Sequence, residues 1–191
     1  VIRRAAGLGA LSGQTNPDDY EKAFAFCDVL VIGAGPAGLM AALVAGRSGA
    51  DVILAEEDTA LGGRLLSEVE EIDGAPAMDW VKSVDAELSA MPNVRIMTRT
   101  AVTGAYDQGT FGALERVGDF APRRVGLPRS CFWRIVAKRS VLCAGSLERS
   151  IAFPNNDRPG VMMAGAVRAY VNRWGVATGK KVAVFGNNDD V

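Results

Sequence analysis

The chain has 191 residues, is 49% apolar and carries a formal net charge of −1 at neutral pH. That length and apolar content suit one domain of ordinary size, and the balanced charge offers no electrostatic footprint for nucleic acid or an anionic membrane. Histidine is absent from the sequence, so this chain cannot build a Ser-His-Asp or Cys-His catalytic set, a histidine base or a His-based metal site.

The cysteines, Cys27, Cys131 and Cys143, stand far apart and none belongs to a C-x-x-C pair. They read as packed thiols rather than as a redox disulfide or a metal ligand set. No run of about 18 apolar residues occurs, so no membrane span is expected. Residues 1–22 contain basic side chains without a following apolar stretch, which does not read as a secretory leader, and the expected setting is cytoplasmic.

In chain order, residues 1–22 are rich in Gly, Ala, Pro, Asn and Asp. They predict an irregular lead-in with one short helix near 2–8, and the lead-in unit is drawn over 1–27. Residues 28–32 (DVLVI) predict a strand buried on both faces. A helix follows over 36–48, with Pro36 in its first turn and Gly49 beyond its end. A second strand is expected over 51–55, then a glycine loop (ALGGRLL, 60–66) leading into a short helix or turn. The helical spacing of Met78, Val81, Val84 and Leu88 predicts a helix over 78–91. A short strand over 94–97 completes a β-α-β-α-β core.

Alternation over about 101–118 predicts a hairpin or three-stranded meander, followed by a Pro/Gly/Arg loop over 119–128. Arg123, Arg124 and Arg129 cluster there and read as solvated surface, a subunit contact being the alternative. Strands are expected over 131–137 and 140–144, a polar link over 153–160, and a helix over 164–174. Residues 180–189 (KKVAVFGNND) have the form of a new strand ending in glycine. The predicted fold is therefore α/β: a Rossmann-like parallel sheet over 28–152 with an inserted β-meander. Residues 153–191 form a link and the beginning of a second Rossmann-like domain. The chain is expected to be a fragment, since it starts on Val1 and stops at Val191 before a second βαβ unit could complete.

The chemistry concentrates at GAGPAG, residues 33–38. Here the G-x-G-x-x-G spacing stands in a full strand-turn-helix-strand context. Gly33 allows the tight turn, Gly35 leaves room for a pyrophosphate, and Gly38 lets the helix pack closely on the strand. Gly33, Gly35, Pro36 and Ala37 are expected to line the pyrophosphate, mostly through backbone N–H groups at the helix start. Glu56 lies 23 positions after Gly33, close to the spacing of about 20 for an acid that accepts a ribose hydroxyl. Glu57 takes that place if the strand ends one residue later. A carboxylate there repels a 2′-phosphate, which disfavours NADP.

The strand-helix, the acid, the Gly62–Gly63 loop, the meander and Cys143–Ala144–Gly145 stand in the order found in the two-dinucleotide-binding flavoproteins. The chain resembles that superfamily, which includes the glutathione and thioredoxin reductases. Cys143–Ala144 replaces the usual Ala-Thr, so any contact there must come from the backbone. Several blocks resemble, more narrowly, the alpha-subunit family of heterotetrameric sarcosine oxidases: VIRRAAGLG, YEKAFAFCDVLVIGAGPAGL, PRSCFWRIVAKRSVLCAGSLER and FPNNDRPGVMMAGAVRAYVNRWGV.

The resemblance implies an oxidoreductase complex with beta, gamma and delta subunits that converts sarcosine to glycine. Oxygen is the acceptor, hydrogen peroxide is a product, and the methyl group leaves as formaldehyde or methylene-tetrahydrofolate. It implies that catalysis occurs at FAD in the beta subunit and that this segment holds NAD⁺ without redox turnover. No catalytic residue is then expected in this chain. FAD at the same ADP site is the alternative, as in a disulfide-oxidoreductase-like flavoprotein or an amine dehydrogenase subunit. Gly63 and Arg64 are expected to close over the ribose and phosphates, although the family usually has a small polar residue at the position of Arg64, and plain solvation is the alternative for its guanidinium. Val102 matches the position whose backbone reads the adenine edge in that superfamily, an ordinary core valine being the alternative. Ala144 and Gly145 are expected to approach the middle of the dinucleotide by their backbone. The resemblance also implies a sheet that lacks the strand returning after the second domain, hence weak nucleotide retention and a tendency to associate.

Overall fold

The computed structural model describes residue 7 and residues 13–118 and 126–187. The strands in chain order are β1 (Tyr20–Ile32), β2 (Val52–Ala55), β3 (Glu71–Ile72), β4 (Ala75–Pro76), β5 (Val94–Met97), β6 (Thr100–Tyr106), β7 (Thr110–Arg116) and β8 (Ser130–Leu142). The helices are α1 (Pro36–Arg47), α2 (Ala77–Ala90) and the short α3 (Ala164–Arg168), which runs into a wider turn over Ala169–Arg173. One six-stranded sheet has the order β5-β2-β1-β8-β7-β6, and β3 and β4 form a small separate ribbon. The pairs β5–β2, β2–β1 and β1–β8 are parallel, while β8–β7 and β7–β6 are antiparallel. The sheet is thus a Rossmann-like parallel half joined through β8 to a meander.

Each face of the parallel half is covered differently. On one, α1 and α2 bury Leu39, Leu43, Val81, Val84 and Leu88 against Val31, Val52 and Leu54. On the other, the meander brings Phe111 and Ala113 over Leu30, Ile53, Met97 and Ile135. This double cover is why 29–31 and 52–55 read as unbroken apolar runs rather than alternating ones. Close packing of α1 on its neighbours depends on Gly46, where a Cβ would lie 2.8 Å from Met91 Sδ and Val94 Cγ2. Asn93 holds the same corner, its side-chain amide donating to the carbonyls of Gly46 (2.9 Å) and Ala50 (2.8 Å).

The structure corrects several sequence expectations. The first strand begins at Tyr20, not at 28, so 20–27 does not belong to an irregular lead-in. Its extra length is held by β8, which pairs with it from Tyr20↔Ser130 to Ile32↔Leu142. Phe24 and Phe26 point outward while Ala25 and Cys27 are buried, which inverts the usual size pattern of a half-buried strand. The expected strands over 131–137 and 140–144 are one continuous strand. Its first half is also the third strand of the meander, of which 100–116 contributes only two. The helix expected over 164–174 is α3 followed by the wider turn. Among the described residues 180–187 no strand forms; no neighbouring strand supplies a ladder there, and an isolated extended segment has none of its own. Phe185 instead meets Phe153 edge-on, ring centroids 6.4 Å apart.

Apart from Gly7, the short helix expected near 2–8 lies outside the described residues, as do Arg123 and Arg124. Arg129 pairs with Asp18 at 2.6 Å, tying the start of β8 to the residues before β1. No helix among the described residues is long and apolar enough to cross a membrane.

Candidate functional site

The turn from β1 into α1 is built on steric exclusion. Gly33 has φ +96°, and a Cβ there would lie 2.5 Å from the Cys143 carbonyl oxygen. A Cβ on Gly38 would collide with the Gly33 carbonyl, so neither glycine can be replaced without moving backbone. Gly35 is the opposite case. Its φ of −69° suits any residue, yet the space where its Cβ would stand holds no atom within 4 Å. That open space lies over the N-terminus of α1, which no side chain caps. Pro36 has no N–H, so the unpaired donors of the first turn are those of Gly35, Ala37 and Gly38. Such a turn offers donors and a positive dipole end to an anion.

Two further loops border this space. The Gly62 N–H donates to the Ala34 carbonyl at 2.9 Å, and Gly63 (φ +54°) is seated so that a Cβ would lie 2.8 Å from Gly35 Cα. Ala144 and Gly145 leave the end of β8 exposed, with Cys143 packed against Gly33 and its N–H bonded to the Ile32 carbonyl at 2.8 Å. The structure therefore brings Gly33, Gly35, Pro36, Ala37, Gly63, Ala144 and Gly145 to the same end of the parallel strands, where ligands bind in open α/β sheets.

Strand β2 ends at Ala55, so the next residue, Glu56, turns toward the glycines while Glu57 is exposed. Glu56 is only 6% exposed. Its Oε2 accepts the Ala34 N–H at 2.6 Å and its Oε1 accepts the Asp58 N–H at 2.9 Å. Each carboxylate oxygen retains a second lone pair for a hydroxyl donor. Val102 is half-buried in β6 against the second core. That strand starts beside the acid, because the Thr100 N–H donates to the Glu56 carbonyl at 2.7 Å. Arg64 forms an ion pair with Glu68 one helical turn on, so an acid already engages its guanidinium.

Asp58 and Arg173 escaped the sequence reading. The Arg173 guanidinium grips the Asp58 carboxylate in a two-pronged pair, Nη1–Oδ2 2.6 Å and Nη2–Oδ1 2.8 Å. Those bonds hold the Asp58 carboxyl down at about 2, well below the usual carboxylate value. The partners are 115 residues apart, and no local pattern signals such a pair. Burial pushes the Cys27 thiol up to about 11 and also raises that of Cys131, consistent with packed rather than reactive cysteines.

This geometry, a glycine turn under a bare helix N-terminus with an acid at the end of the next strand, defines a dinucleotide-binding domain. Residues 28–115 match the FAD dependent oxidoreductase family. The chain is 54% identical to sarcosine oxidase subunit alpha of Rhizobium meliloti (strain 1021) over 190 residues, 99% of this chain and 19% of the relative. It is 45% identical to sarcosine oxidase subunit alpha of Corynebacterium sp. (strain U-96) over 189 residues, 97% of this chain and 20% of the relative. The solved structure of L-proline dehydrogenase from P. horikoshii superposes with a TM-score of 0.67 at 28% identity, covering 88% of this chain and 32% of that one. The chain belongs to the sarcosine oxidase alpha-subunit family and spans about a fifth of the length of those relatives.

Proposed function

We propose that this chain is the dinucleotide-binding segment of a sarcosine oxidase alpha subunit, and that it clamps the ADP half of NAD⁺. The observation that carries the proposal is the open space over Gly35, bounded by the bare start of α1 and by the Glu56 carboxylate. On this reading the N–H groups of Gly35, Ala37 and Gly38 receive the pyrophosphate and Gly63 borders it. Glu56 accepts ribose hydroxyls, and Glu57 has no part. The Val102 backbone meets the adenine edge, and the backbone of Ala144 and Gly145 runs along the middle of the dinucleotide. Arg64 reaches a phosphate through the guanidinium N–H groups other than the Nε that engages Glu68.

The parent complex converts sarcosine, oxygen and water into glycine, hydrogen peroxide and formaldehyde, with methylene-tetrahydrofolate as the alternative fate of the methyl group. It does so in the cytoplasm with beta, gamma and delta subunits. The chemistry belongs to a partner subunit, and this segment supplies no catalytic residue. FAD at the same clamp is the second reading, favoured by the family match over 28–115; bound there, it would supply hydride and electron transfer. Both cofactors contain the ADP moiety that these residues address.

Mass spectrometry of the nucleotide released on denaturing the purified protein tests the assignment. A colourless protein that releases NAD supports the first reading. Flavin absorbance and released FAD overturn it in favour of the second. A protein that releases neither and fails to bind added ADP overturns both.

A further inference from the structure

The segment that carries α3 reaches back over the loops bordering the glycine turn. Arg173 holds Asp58, the Asn172 side-chain amide donates to the Ser67 carbonyl at 2.8 Å, and Arg168 lies 3.3 Å from the Glu68 carboxylate. The Gly165 N–H donates to Glu148 at 2.7 Å, which closes the segment on itself. These links fasten α3 and its turn to the loop after β2 and to the 3-10 turn Gly63–Ser67.

Asp58 is the pivotal residue among them. Its carboxylate takes both Arg173 donors and the Thr59 N–H at 2.6 Å, while its carbonyl accepts the Arg99 N–H at 2.8 Å. Its own N–H is then aimed at Glu56 Oε1 at 2.9 Å. The opposite oxygen of Glu56 is fixed by Ala34, inside the glycine turn. A carboxylate held at both oxygens has one orientation, and its remaining lone pairs have fixed directions. We infer that Arg173 is a positioning residue for the ribose site: it immobilises Asp58, and through the Asp58 N–H it sets the orientation of the Glu56 carboxylate. The inference rests on the proposal that Glu56 accepts ribose hydroxyls.

A local alternative assigns the Arg173–Asp58 pair only to docking the helical segment. The two roles differ in what they do to selectivity. If Arg173 only docks the segment, its loss weakens binding of ADP and of 2′-deoxy-ADP alike. If it orients Glu56, its loss removes the advantage conferred by the 2′-hydroxyl.

The experiment is isothermal titration of the full chain with ADP and with 2′-deoxy-ADP. A hydroxyl bonded to a charged acceptor predicts discrimination of about tenfold or more in the wild type. Glu56→Gln should reduce that ratio strongly. Arg173→Ala and Asp58→Asn should each reduce it to about threefold or less, and Arg173→Lys, which keeps the charge without the fork, should fall between. Asp58→Asn retains the backbone N–H and the side-chain shape, so it tests the link even if Arg173→Ala does not fold. If Glu56→Gln abolishes discrimination while both Arg173→Lys and Asp58→Asn keep the wild-type ratio, the positioning role is overturned and the ribose assignment stands. No discrimination in the wild type overturns both.

Discussion

Gly35→Ala separates folding from ligand binding. Residue 35 has φ −69° and ψ −178°, and its Cβ would enter space with no atom within 4 Å. The fold should therefore accept the methyl group. Alanine is a poorer helix N-cap than glycine by about 0.5–1 kcal/mol, but it restricts the unfolded chain, which returns about 0.4–1 kcal/mol. The two nearly cancel, and for a domain of this size a net change under about 0.5 kcal/mol moves Tm by less than about 2 °C. The same methyl group would occupy the proposed phosphate position. Loss of two charge-assisted hydrogen bonds at about 1.5 kcal/mol each amounts to about 3 kcal/mol, or roughly a hundredfold in ADP affinity. Gly33→Ala is the contrasting control, because φ is +96° and the Cβ would lie 2.5 Å from the Cys143 oxygen. Strain of this kind costs about 1–3 kcal/mol before the clash is counted, which predicts a Tm loss of several degrees. Thermal melts followed by circular dichroism and calorimetric titration with ADP provide both readouts. A Gly35→Ala protein that melts as low as Gly33→Ala, or that binds ADP within about threefold of wild type, would refute the reasoning.

Other outcomes follow from the same structure. Leu88 is fully buried between α2 and the sheet, so Leu88→Ala should cost about 2–5 kcal/mol in urea denaturation. The Asp58 carboxyl is lowered to about 2 in the folded chain, against about 3.9 unfolded. Its pair with Arg173 therefore adds stability that is present above about pH 4 and is lost as pH falls through about 2. The melting temperature of Asp58→Asn should accordingly depend less on pH over this acid range and converge with wild type at its lower end. Half-buried Cys143 should react with a thiol reagent before buried Cys27 and Cys131, and ADP should slow its labelling, because Cys143 packs against Gly33. Exposed Phe24 and Phe26 on β1 should drive concentration-dependent association, which sedimentation of a Phe24→Ser/Phe26→Ser double variant should show reduced.

What the sequence revealed was local. The helix expected over 36–48 is α1 at Pro36–Arg47, and the strand expected over 94–97 is β5 at Val94–Met97. Both are bounded by glycine, proline or asparagine and carry their periodicity within a few residues. The glycine turn was equally legible from its G-x-G-x-x-G spacing between a strand and a helix, although the demand at Gly33 comes from Cys143 across the sheet and a Cβ on Gly35 would meet no neighbour at all. Residues 20–27 were not, since they become a strand only by pairing with β8 more than a hundred positions later. The ion pair of Arg64 with Glu68 four residues on was not foreseen, although it spans a single turn. Glu56 was singled out by its spacing from the glycines, whereas its contact with the Asp58 N–H and the bond from Asp58 to Arg173 across the fold leave no periodic trace.

The central claim is that the start of α1 and Glu56 together receive the ADP half of a dinucleotide. Backbone amide NMR during titration with ADP measures this directly, since each N–H involved reports for itself. Saturable shifts should be largest at Ala34, Gly35, Ala37 and Gly38, with Asp58 and Gly63 following and the β6–β7 hairpin tip unchanged. Saturable binding whose largest shifts lie away from these residues, or no shift at millimolar ADP, would contradict the account.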